Sequence, residues 1–542
     1  MMRILKKNLL LVLLMICPTF LLAQQVNTLY FMENLPSRNM YNPAFQPIND
    51  IYVSLPIIGY MQMSVGNNSV ALKDLMYKKD DDFVTSLYDI ETKLKLYNKI
   101  LPTFLMNANL QVNLLTIGFR KNSSFWTFSV NEKIDASFTV PKDAFKLGLF
   151  GVDDLPDATL HQTYSVSPVN YNLSGLKVNM TAYTEFGLGC ARDINDAWSV
   201  GAKVKFLYGN MNISNVNQFT NLTWAPHQIT VNSIGSINTS VPFPVTFAPT
   251  LLPVSVDTAK MSNPMSYLPP TGLGGGLDLG VDYWATNELS FSLAAIDLGF
   301  ISWNKANSVN YDATYMYDGV NQQGVDKGVV SLLSTVNQST LSDSLLAGLK
   351  SNQTISNKSY TTFTTAKLNA GVEYKMFNNY LSLGLLSRTY FGNINVSEEI
   401  TASANYRPLD WFNASLSYSF FNGNFSNIGF GVGLQTWIFH WFLAADYIPT
   451  YLYKMGGLPI IPAGTGTFNL ALGMNLVFNY PSAESIAAKN KQKMDDRFGC
   501  PSCDDRIPSK NIKKRSKAYS KKQEIPTYNR KTEPIVGPMY GR

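Results

Sequence analysis

Long stretches of the chain alternate strictly between apolar residues and small or polar ones. The pattern is clearest over 468–480, where Phe468 and Leu470 begin one face and Asn469 and Ala471 begin the other. A period of two residues is that of a β-strand, whose side chains point alternately to opposite sides. Such a strand offers one face to lipid and the other to a polar lumen, as in a membrane β-barrel.

Fourteen segments carry this pattern, and short connections between them alternate with connections that are mostly long. Outer-membrane barrels have short periplasmic turns and longer external loops, and an even number of strands returns the chain to the periplasm. The sequence therefore predicts an all-β fold, a transmembrane antiparallel β-barrel of about 14 strands over residues 51–480, with long external loops that include 215–271 and 304–364. The predicted strands are 51–65, 106–119, 124–138, 174–191, 196–214, 272–285, 288–303, 365–376, 379–392, 396–407, 411–421, 426–437, 440–449 and 466–480.

Most tryptophans lie within three residues of a predicted short turn. An indole prefers the headgroup level of a membrane, where its ring is in an apolar layer and its N–H reaches water. We therefore expect a girdle at the periplasmic rim formed by Trp126, Trp198, Trp284, Trp411, Trp437 and Trp441.

Residues 1–23 have the features of a secretory signal peptide. Arg3, Lys6 and Lys7 precede an apolar run that ends at Ala23, which predicts cleavage before Gln24. The composition agrees with a membrane destination, because only 15% of the residues are charged, against about 25% in soluble domains. We expect the protein in the outer membrane of a Gram-negative bacterium, in contact with its lipid.

The last part of the chain, residues 481–542, differs from the rest in charge. It has 15 Lys and Arg against 7 Asp and Glu, with scattered prolines and few apolar residues. Such a segment cannot bury enough apolar surface to offset the entropy of ordering, so we expect a disordered periplasmic tail. Two hypotheses stay open: a passive extension, or binding to an acidic periplasmic protein or to the carboxylates of peptidoglycan.

The tail also contains Cys500 and Cys503. A zinc site would need two more ligands, and a redox dithiol would need a folded domain. A disulfide between the two cysteines is the expectation for the oxidising periplasm.

Residues 25–60 contain Leu35-Pro36, then Tyr41 and Asn42-Pro43-Ala44, then Leu55-Pro56-Ile57-Ile58-Gly59. This pattern resembles the hatch region of the long-chain fatty-acid transporter superfamily. The resemblance implies that residues 24–50 plug a 14-stranded barrel from the periplasmic side, with Asn42, Pro43 and Ala44 against the inner wall.

A second pair of motifs is Gly276-Leu277-Asp278-Leu279-Gly280 and the run from Ile296-Asp297-Leu298-Gly299 to Trp303. These motifs resemble an uncharacterised family of such barrels, which is related to barrel subunits that serve protein secretion and gliding. That family implies an architecture and no activity.

Several ionisable residues fall on the predicted lumen face. Charges inside a barrel either line a water-filled path or pair with one another and stiffen it, and the sequence leaves both open. The candidates are Lys203, Lys205, Asp278, Asp282, Lys367, Glu373, Lys375, Arg388 and Arg407.

Other motifs favour structural roles. Asp80-Asp81-Asp82 precedes apolar residues at helical spacing, which predicts a helix capped by these acids that covers the external mouth. No strand end presents a His beside a Ser or Asp, so we expect no enzyme. The sequence indicates no cofactor, metal or nucleic-acid partner.

Two functions remain. The first is a plugged transporter for small hydrophobic molecules, which the superfamily resemblance and the apolar loop 458–462 favour. The second is a non-transporting scaffold, or an accessory subunit of a secretion or motility complex. A continuous path past residues 25–50 would favour transport, and a lumen filled by paired charges would favour the scaffold.

Overall fold

A computed structural model of the 542-residue chain gives the architecture. None of the helices in the described part of the chain is long and apolar enough to cross a membrane. The structure describes residues 26–71, 74, 76–79, 82–85, 90–150, 168–225, 228–242, 245–247, 253–256, 269–304, 306–317, 353–392, 396–409, 411–421, 424–447, 452–453, 461–462 and 467–478.

The described chain is mostly β-strand. The first half contains β1 (Ile51–Ser54), β2 (Met61–Asn67), β3 (Met76–Lys79), β4 (Asp82–Thr85), β5 (Thr103–Lys121), β6 (Ser124–Pro141), β7 (Val169–Asn172), β8 (Lys177–Asp193), β9 (Trp198–Ala225), β10 (Gln228–Ser240), β11 (Val245–Phe247), β12 (Pro253–Val256) and β13 (Gly272–Trp284). The second half contains β14 (Leu289–Trp303), β15 (Ala306–Tyr317), β16 (Gln353–Ser356), β17 (Tyr360–Phe363), β18 (Ala366–Met376), β19 (Leu381–Phe391), β20 (Val396–Leu409), β21 (Phe412–Phe421), β22 (Asn424–Thr436), β23 (Phe439–Asp446), β24 (Leu452–Tyr453), β25 (Ile461–Pro462) and β26 (Thr467–Phe478).

The strands form a closed antiparallel barrel of 14 strands, which confirms the predicted fold class. Each wall strand pairs with the next along the chain, and β1 and β2 pair with both β5 and the last strand, β26. Two wall positions are shared by two short strands, β1 with β2 and β17 with β18. In wall order the positions are β1/β2, β5, β6, β8, β9, β13, β14, β17/β18, β19, β20, β21, β22, β23 and β26.

The two faces of the wall have opposite chemistry. Apolar side chains are exposed on the outside, whereas polar side chains are buried on the inside, the reverse of a water-soluble protein. An apolar outer surface of this extent requires lipid around it, so the barrel spans a membrane. Outward examples are Leu188, Val204, Phe206, Leu293, Leu385, Leu416 and Leu443; inward examples are Asn107, Asn131, Ser292, Asn369, Thr401, Ser417 and Asn469.

The predicted tryptophan girdle lies at the short-turn end of the wall. Trp437 is 87% exposed, and Trp126, Trp198, Trp411 and Trp441 are also exposed, whereas Trp284 is half-buried. Exposed indoles next to the turns are placed where a membrane interface would accommodate them.

The first wall strand is interrupted at residues 55–60. Ile57 has a positive φ of 68°, and its N–H donates to the carbonyl of Asn113 on β5 at 2.9 Å. The carbonyl of Ile58 accepts from β26 on the other side, so the wall stays connected. Ile57 and Ile58 are exposed, whereas Tyr60 is buried inside.

A sheet of five strands continues beyond the barrel on the side of the long connections. It consists of β7, the part of β9 beyond Asn212, β10, β15 and β16, and is called the outer sheet below. β9 alone has 28 residues, although about 9–11 suffice for a transmembrane strand. The segments predicted as external loops, 215–271 and 304–364, thus contain strands. β10 escaped prediction because Ser, Thr and Asn fall on both of its faces, which weakens the alternation.

Two helices connect wall strands at the same end, α1 (Ile90–Lys99) and α2 (Lys142–Phe150). Leu96 of α1 packs with Ile100 and Val70, and Phe145 of α2 packs against this cluster.

The predicted acidic cap of α1 is wrong for Asp82. Asp82 lies in β4, opposite Lys79 of β3, and the helix begins only at Ile90. Asp82 belongs to the hairpin of β3 and β4, and Glu91 is the acid in the first turn of the helix. Asp80 and Asp81 lie outside the described residues.

Candidate functional site in the barrel lumen

Residues 26–50, called the inner segment here, run inside the barrel before β1 begins. The segment forms two 3-10 turns, η1 (Asn27–Leu29) and η2 (Pro36–Met40), and is otherwise irregular. Its large side chains are buried, among them Tyr30, Phe31, Tyr41 and Phe45, and they form one apolar cluster with Tyr60 and Phe442 of the wall. Burial raises the pKa of the Tyr30 hydroxyl to about 12.

Hydrogen bonds tie the inner segment to strands around the whole wall. The main-chain N–H groups of Asn27 and Thr28 donate to Asp446 on β23, the first at 2.6 Å. Further along, the Tyr30 hydroxyl lies 3.0 Å from Ser292 on β14, and the Ser199 hydroxyl of β9 donates to the carbonyl of Ala44 at 3.0 Å. The segment therefore crosses the lumen instead of lying along one side of it.

Asn42, Pro43 and Ala44 lie against two glycines of the wall. A Cβ at Gly201 would overlap the backbone of Pro43 and Ala44, and a Cβ at Gly280 would overlap Asn42 and Pro43. The Asn42 amide donates to the carbonyl of Val281 at 3.2 Å. The wall thus lacks side chains where the segment approaches it most closely.

Glu33 binds the wall near the short-turn rim. Its carboxylate pairs with Lys375, and with Arg407 at 2.7 Å, and it accepts from the Asn379 amide at 3.0 Å. Arg38 is buried with its guanidinium 4.2 Å above the ring of Phe45. Burial lowers the pKa of the Arg38 guanidinium, a shift that the nearby carboxylates of Glu373 and Asp282 oppose.

Farther from the rim, lysines and carboxylates from six successive wall positions meet in what we call the ion-pair layer. Lys205 binds Asp278 at 2.7 Å, Asp297 at 2.6 Å and Glu185 at 3.2 Å. Lys133 binds Asp297 at 2.7 Å from the far side of the group, four wall positions away. The layer consists of Lys133, Lys203, Lys205, Lys367, Glu185, Asp278 and Asp297, all less than a tenth exposed.

Asp297 organises this layer through an irregularity of the wall. The register between β13 and β14 shifts between Leu277 and Leu279, and Asp297 has a positive φ of 59°. Ile296 and Asp297 both turn inward as a result, and the Asp297 N–H donates to Asp278 at 2.6 Å. A bulge of this kind redirects a side chain that regular alternation would place outside.

A third buried group lies on the opposite wall. Arg388 on β19 faces Glu399 on β20 in the strand register, yet its guanidinium binds Asn27 and Asn369, the latter at 2.8 Å. Glu399 accepts from the Tyr447 hydroxyl at 2.5 Å, and its other oxygen makes no hydrogen bond among the described residues.

The nine ionisable residues predicted for the lumen lie in different surroundings. Lys203, Lys205, Asp278 and Lys367 belong to the ion-pair layer; Lys375 and Arg407 bind Glu33; and Arg388 binds Asn27. Glu373 is buried, and Asp282 is half-buried and accepts from the Trp284 indole at 3.0 Å.

Sequence reasoning missed Lys133, Glu185, Asp297, Glu399 and Asp446. Lys133 and Glu185 lie on the lumen side of predicted strands. Glu132 and Lys133 are adjacent and point to opposite faces, so charge alone does not distinguish the lumen face from the lipid face there. Cys500 and Cys503 lie outside the described residues, as do residues 1–25 and the rest of the tail.

A cavity of about 10 Å³ lies between Pro43 and Phe45 of the segment and Phe125, Thr127 and Lys203 of the wall. That volume holds about one water molecule.

The sequence matches the model of a family described as a family of unknown function (DUF5723) over residues 43–446. The chain belongs to this family. The match covers most of the barrel, and it confirms the resemblance to an uncharacterised barrel family. No curated protein sequence matches the chain.

Among solved structures, this DUF5723 member is similar to other barrels at low identity. The Ralstonia pickettii toluene transporter TbuX shows 9% identity and a TM-score of 0.37, over 81% of this chain and 93% of that one. The P. putida toluene transporter TodX shows 8% identity and a TM-score of 0.36, over 82% of this chain and 94% of that one. A Pseudomonas aeruginosa FadL homologue shows 10% identity and a TM-score of 0.34, over 86% of this chain and 100% of that one. This likeness does not bear on what passes through the lumen.

Proposed function

We propose that this protein is an outer-membrane barrel that is closed at rest and serves as a membrane scaffold for a protein assembly. One observation carries the proposal: the lumen is filled by the inner segment and by charges that are paired with one another. Paired, buried charges stiffen a barrel, whereas a conducting path would leave them hydrated.

Three features support a closed lumen. The inner segment contacts strands on all sides, its cavity beside Pro43 has room for one water, and the ion-pair layer lies farther along the same lumen. A small hydrophobic molecule would have to pass lysines and carboxylates in the layer, which offer it no favourable contact.

The outer sheet supports a scaffold more directly. It extends the wall well past the length that a membrane requires, and β16 pairs on one side only among the strands that the structure describes. Strand edges of this kind can bind a further strand of a partner protein. The basic tail, if it reaches the periplasm, gives a second contact for an acidic protein or peptidoglycan.

The test reconstitutes the purified full-length barrel in planar bilayers and in vesicles. We expect no ion conductance, and toluene uptake no faster than into protein-free vesicles. A variant that lacks residues 26–46 and carries Lys133→Ala and Lys205→Ala provides the open control. Steady conductance by the full-length protein, or toluene uptake above the protein-free rate, would refute the proposal.

A transporter for small hydrophobic molecules is the second candidate, and the interrupted first strand favours it. Residues 55–60 place Ile57 and Ile58 toward lipid and Tyr60 inward, where its hydroxyl lies 2.9 Å from that of Tyr41. A movement of this segment would couple the lipid face to the inner segment. If toluene enters vesicles with the full-length barrel, Tyr60→Phe should speed its entry, because the Tyr41 contact is lost.

A further inference from the structure

A cleft lies on the outside of the wall at the short-turn rim. Its volume is about 470 Å³, and it is lined by Phe377, Tyr380, Leu381, Tyr406 and Pro408. Leu381 and Tyr406 stand opposite each other in the register of β19 and β20, and Tyr406 is exposed. Every lining side chain is apolar or aromatic, and the volume is that of a ligand site, so the cleft suits an apolar ligand.

The turn between β18 and β19 places an aromatic ring at the edge of this cleft. Phe377 is 72% exposed and has a positive φ of 52°. Bulky residues rarely adopt such a backbone angle, whereas Asn does so readily, as Asn379 does in the same turn with a φ of 71°. The main-chain N–H of Arg407 donates to the carbonyl of Tyr380 at 2.8 Å, which holds the turn against β20. The turn therefore presents a ring at a position where the backbone favours a smaller residue.

A groove continues from the cleft along the outside of β20. Its floor consists of Ala402 and Ala404, which alternate with buried residues and therefore face outward. The strand register places larger, half-exposed side chains on both sides, Leu383 and Leu385 of β19 and Leu416 and Tyr418 of β21. Small residues between large neighbours leave a channel that runs from the short-turn rim toward the middle of the membrane.

Membrane lipid surrounds this part of the wall, because the cleft is continuous with the apolar outer surface of the barrel. Cations of the same rim turn inward instead, where Lys375 and Arg407 bind Glu33. The five lining residues carry no charge, so they offer a phosphate headgroup no ion pair. A lipid bound here is therefore recognised by its hydrocarbon chain.

We propose that the cleft and the groove hold one acyl chain of a phospholipid from the leaflet at the short-turn rim, and keep that lipid as a bound ligand. Lipid is as apolar as the groove, so packing and not burial decides the preference. A chain in the groove touches side chains beneath it and on both sides, and it gains dispersion contacts that a flat wall does not offer. The ring of Phe377 packs against the end of the chain that lies nearest the headgroup.

The first measurement is photo-crosslinking of the full-length protein with p-benzoylphenylalanine in place of Tyr406. The barrel is extracted into detergent and washed free of bulk lipid before irradiation, so that only retained lipid can react. We expect a phospholipid adduct in mass spectrometry. The same residue in place of Leu293, which is exposed on β14 outside the groove, is the matched control and should give none. No adduct at position 406, equal adducts at both positions, or a protein adduct at 406 in intact membranes would overturn the proposal.

The second measurement blocks the groove without removing any side chain that lines it. Ala404→Trp fills the channel, and overpacking of this kind should lower phospholipid retention roughly tenfold in native mass spectrometry. Ala370→Trp, at an exposed alanine on the outside of β18, is the matched control and should retain one lipid, as the native barrel does. SDS resistance without heating verifies that each barrel is folded. Equal retention by the two tryptophan variants would show that the groove binds no lipid.

The third measurement separates chain recognition from headgroup recognition. Phosphatidylethanolamine and phosphatidylglycerol with the same chains should compete equally for the site, because no charged residue lines it. Dipalmitoyl lipid should compete better than dilauroyl lipid, because a longer chain fills more of the channel. A preference between the two headgroups, or equal competition by the two chain lengths, would contradict the proposal. These results are independent of the scaffold proposal, which concerns the other side of the wall.

Discussion

The inner segment and the ion-pair layer close neighbouring parts of one lumen by different means. The segment is a separate stretch of chain held by aromatic packing and by mostly neutral hydrogen bonds, such as that between Tyr30 and Ser292. The layer belongs to the wall itself and is held by charges such as those of Lys205 and Asp297. A segment can in principle leave, whereas wall side chains cannot. The lumen therefore has one removable closure and one fixed closure.

The largest expected effect comes from removing both closures. Deletion of residues 26–46 alone should give little conductance, because the ion-pair layer still closes the lumen, and addition of Lys133→Ala and Lys205→Ala should make the conductance large and steady. The two lysine substitutions alone should give none, since the inner segment stays in place. Single-channel recordings compare the conductance of the native protein, the deletion variant, the lysine variant and the combined variant. An open channel in the lysine variant would show that the ion-pair layer, and not the inner segment, is the main closure.

Loss of Asp297 should produce the largest change in stability from a single side chain. Asp297→Ala leaves Lys133, Lys205 and Lys367 with fewer partners in a buried place, which costs about 3–5 kcal/mol when a buried pair is broken. Denaturant unfolding of the detergent-folded barrel measures this. Glu288→Ala, which removes an exposed carboxylate bonded to Tyr374, is the control and should stay within about 0.5 kcal/mol.

A smaller effect is expected where the wall accommodates the inner segment. Gly280→Ala places a methyl group against Asn42 and Pro43, and overpacking of this kind costs about 1–3 kcal/mol. Gly275→Ala on the same strand is the matched control, because its nearest neighbour is 3.8 Å away. Trypsin cleavage after buried Arg38 should become faster in the first variant only. Equal rates would mean that the segment adapts to the added methyl group.

The smallest effect concerns the rim. Glu33→Gln weakens the contacts with Lys375 and Arg407 by about 1 kcal/mol, because the amide oxygen of Gln can still accept a hydrogen bond from either cation. The same trypsin assay detects it as a modest increase in rate. Glu91→Gln, in an exposed pair with Lys95 on α1, should have no measurable effect. If the Glu33→Gln variant resists trypsin as well as the native protein does, the inner segment is held by packing alone.

Regular alternation explains how much of the lumen the sequence could predict. Lys205 and Asp278 follow the period of two in strands with a clear apolar face, so their inward direction was predictable. Asp297 breaks that period at a bulge, and no local sequence pattern indicates the register shift between β13 and β14. The partnership of Lys133 with Asp297 depends on how the wall curves to close, which alternation within single strands does not specify.

The pairing of β1 and β2 with β26 has a consequence for the order of assembly. The inner segment precedes the first strand, yet Asn27 binds Asp446 across 419 residues of sequence and Thr28 binds Ser417 across 389. Contacts of such long range repay their loop entropy only when the intervening chain is already organised. Barrel closure and entry of the segment should therefore be late events, and a nascent chain that ends before β23 should leave its amino-terminal residues open to proteases.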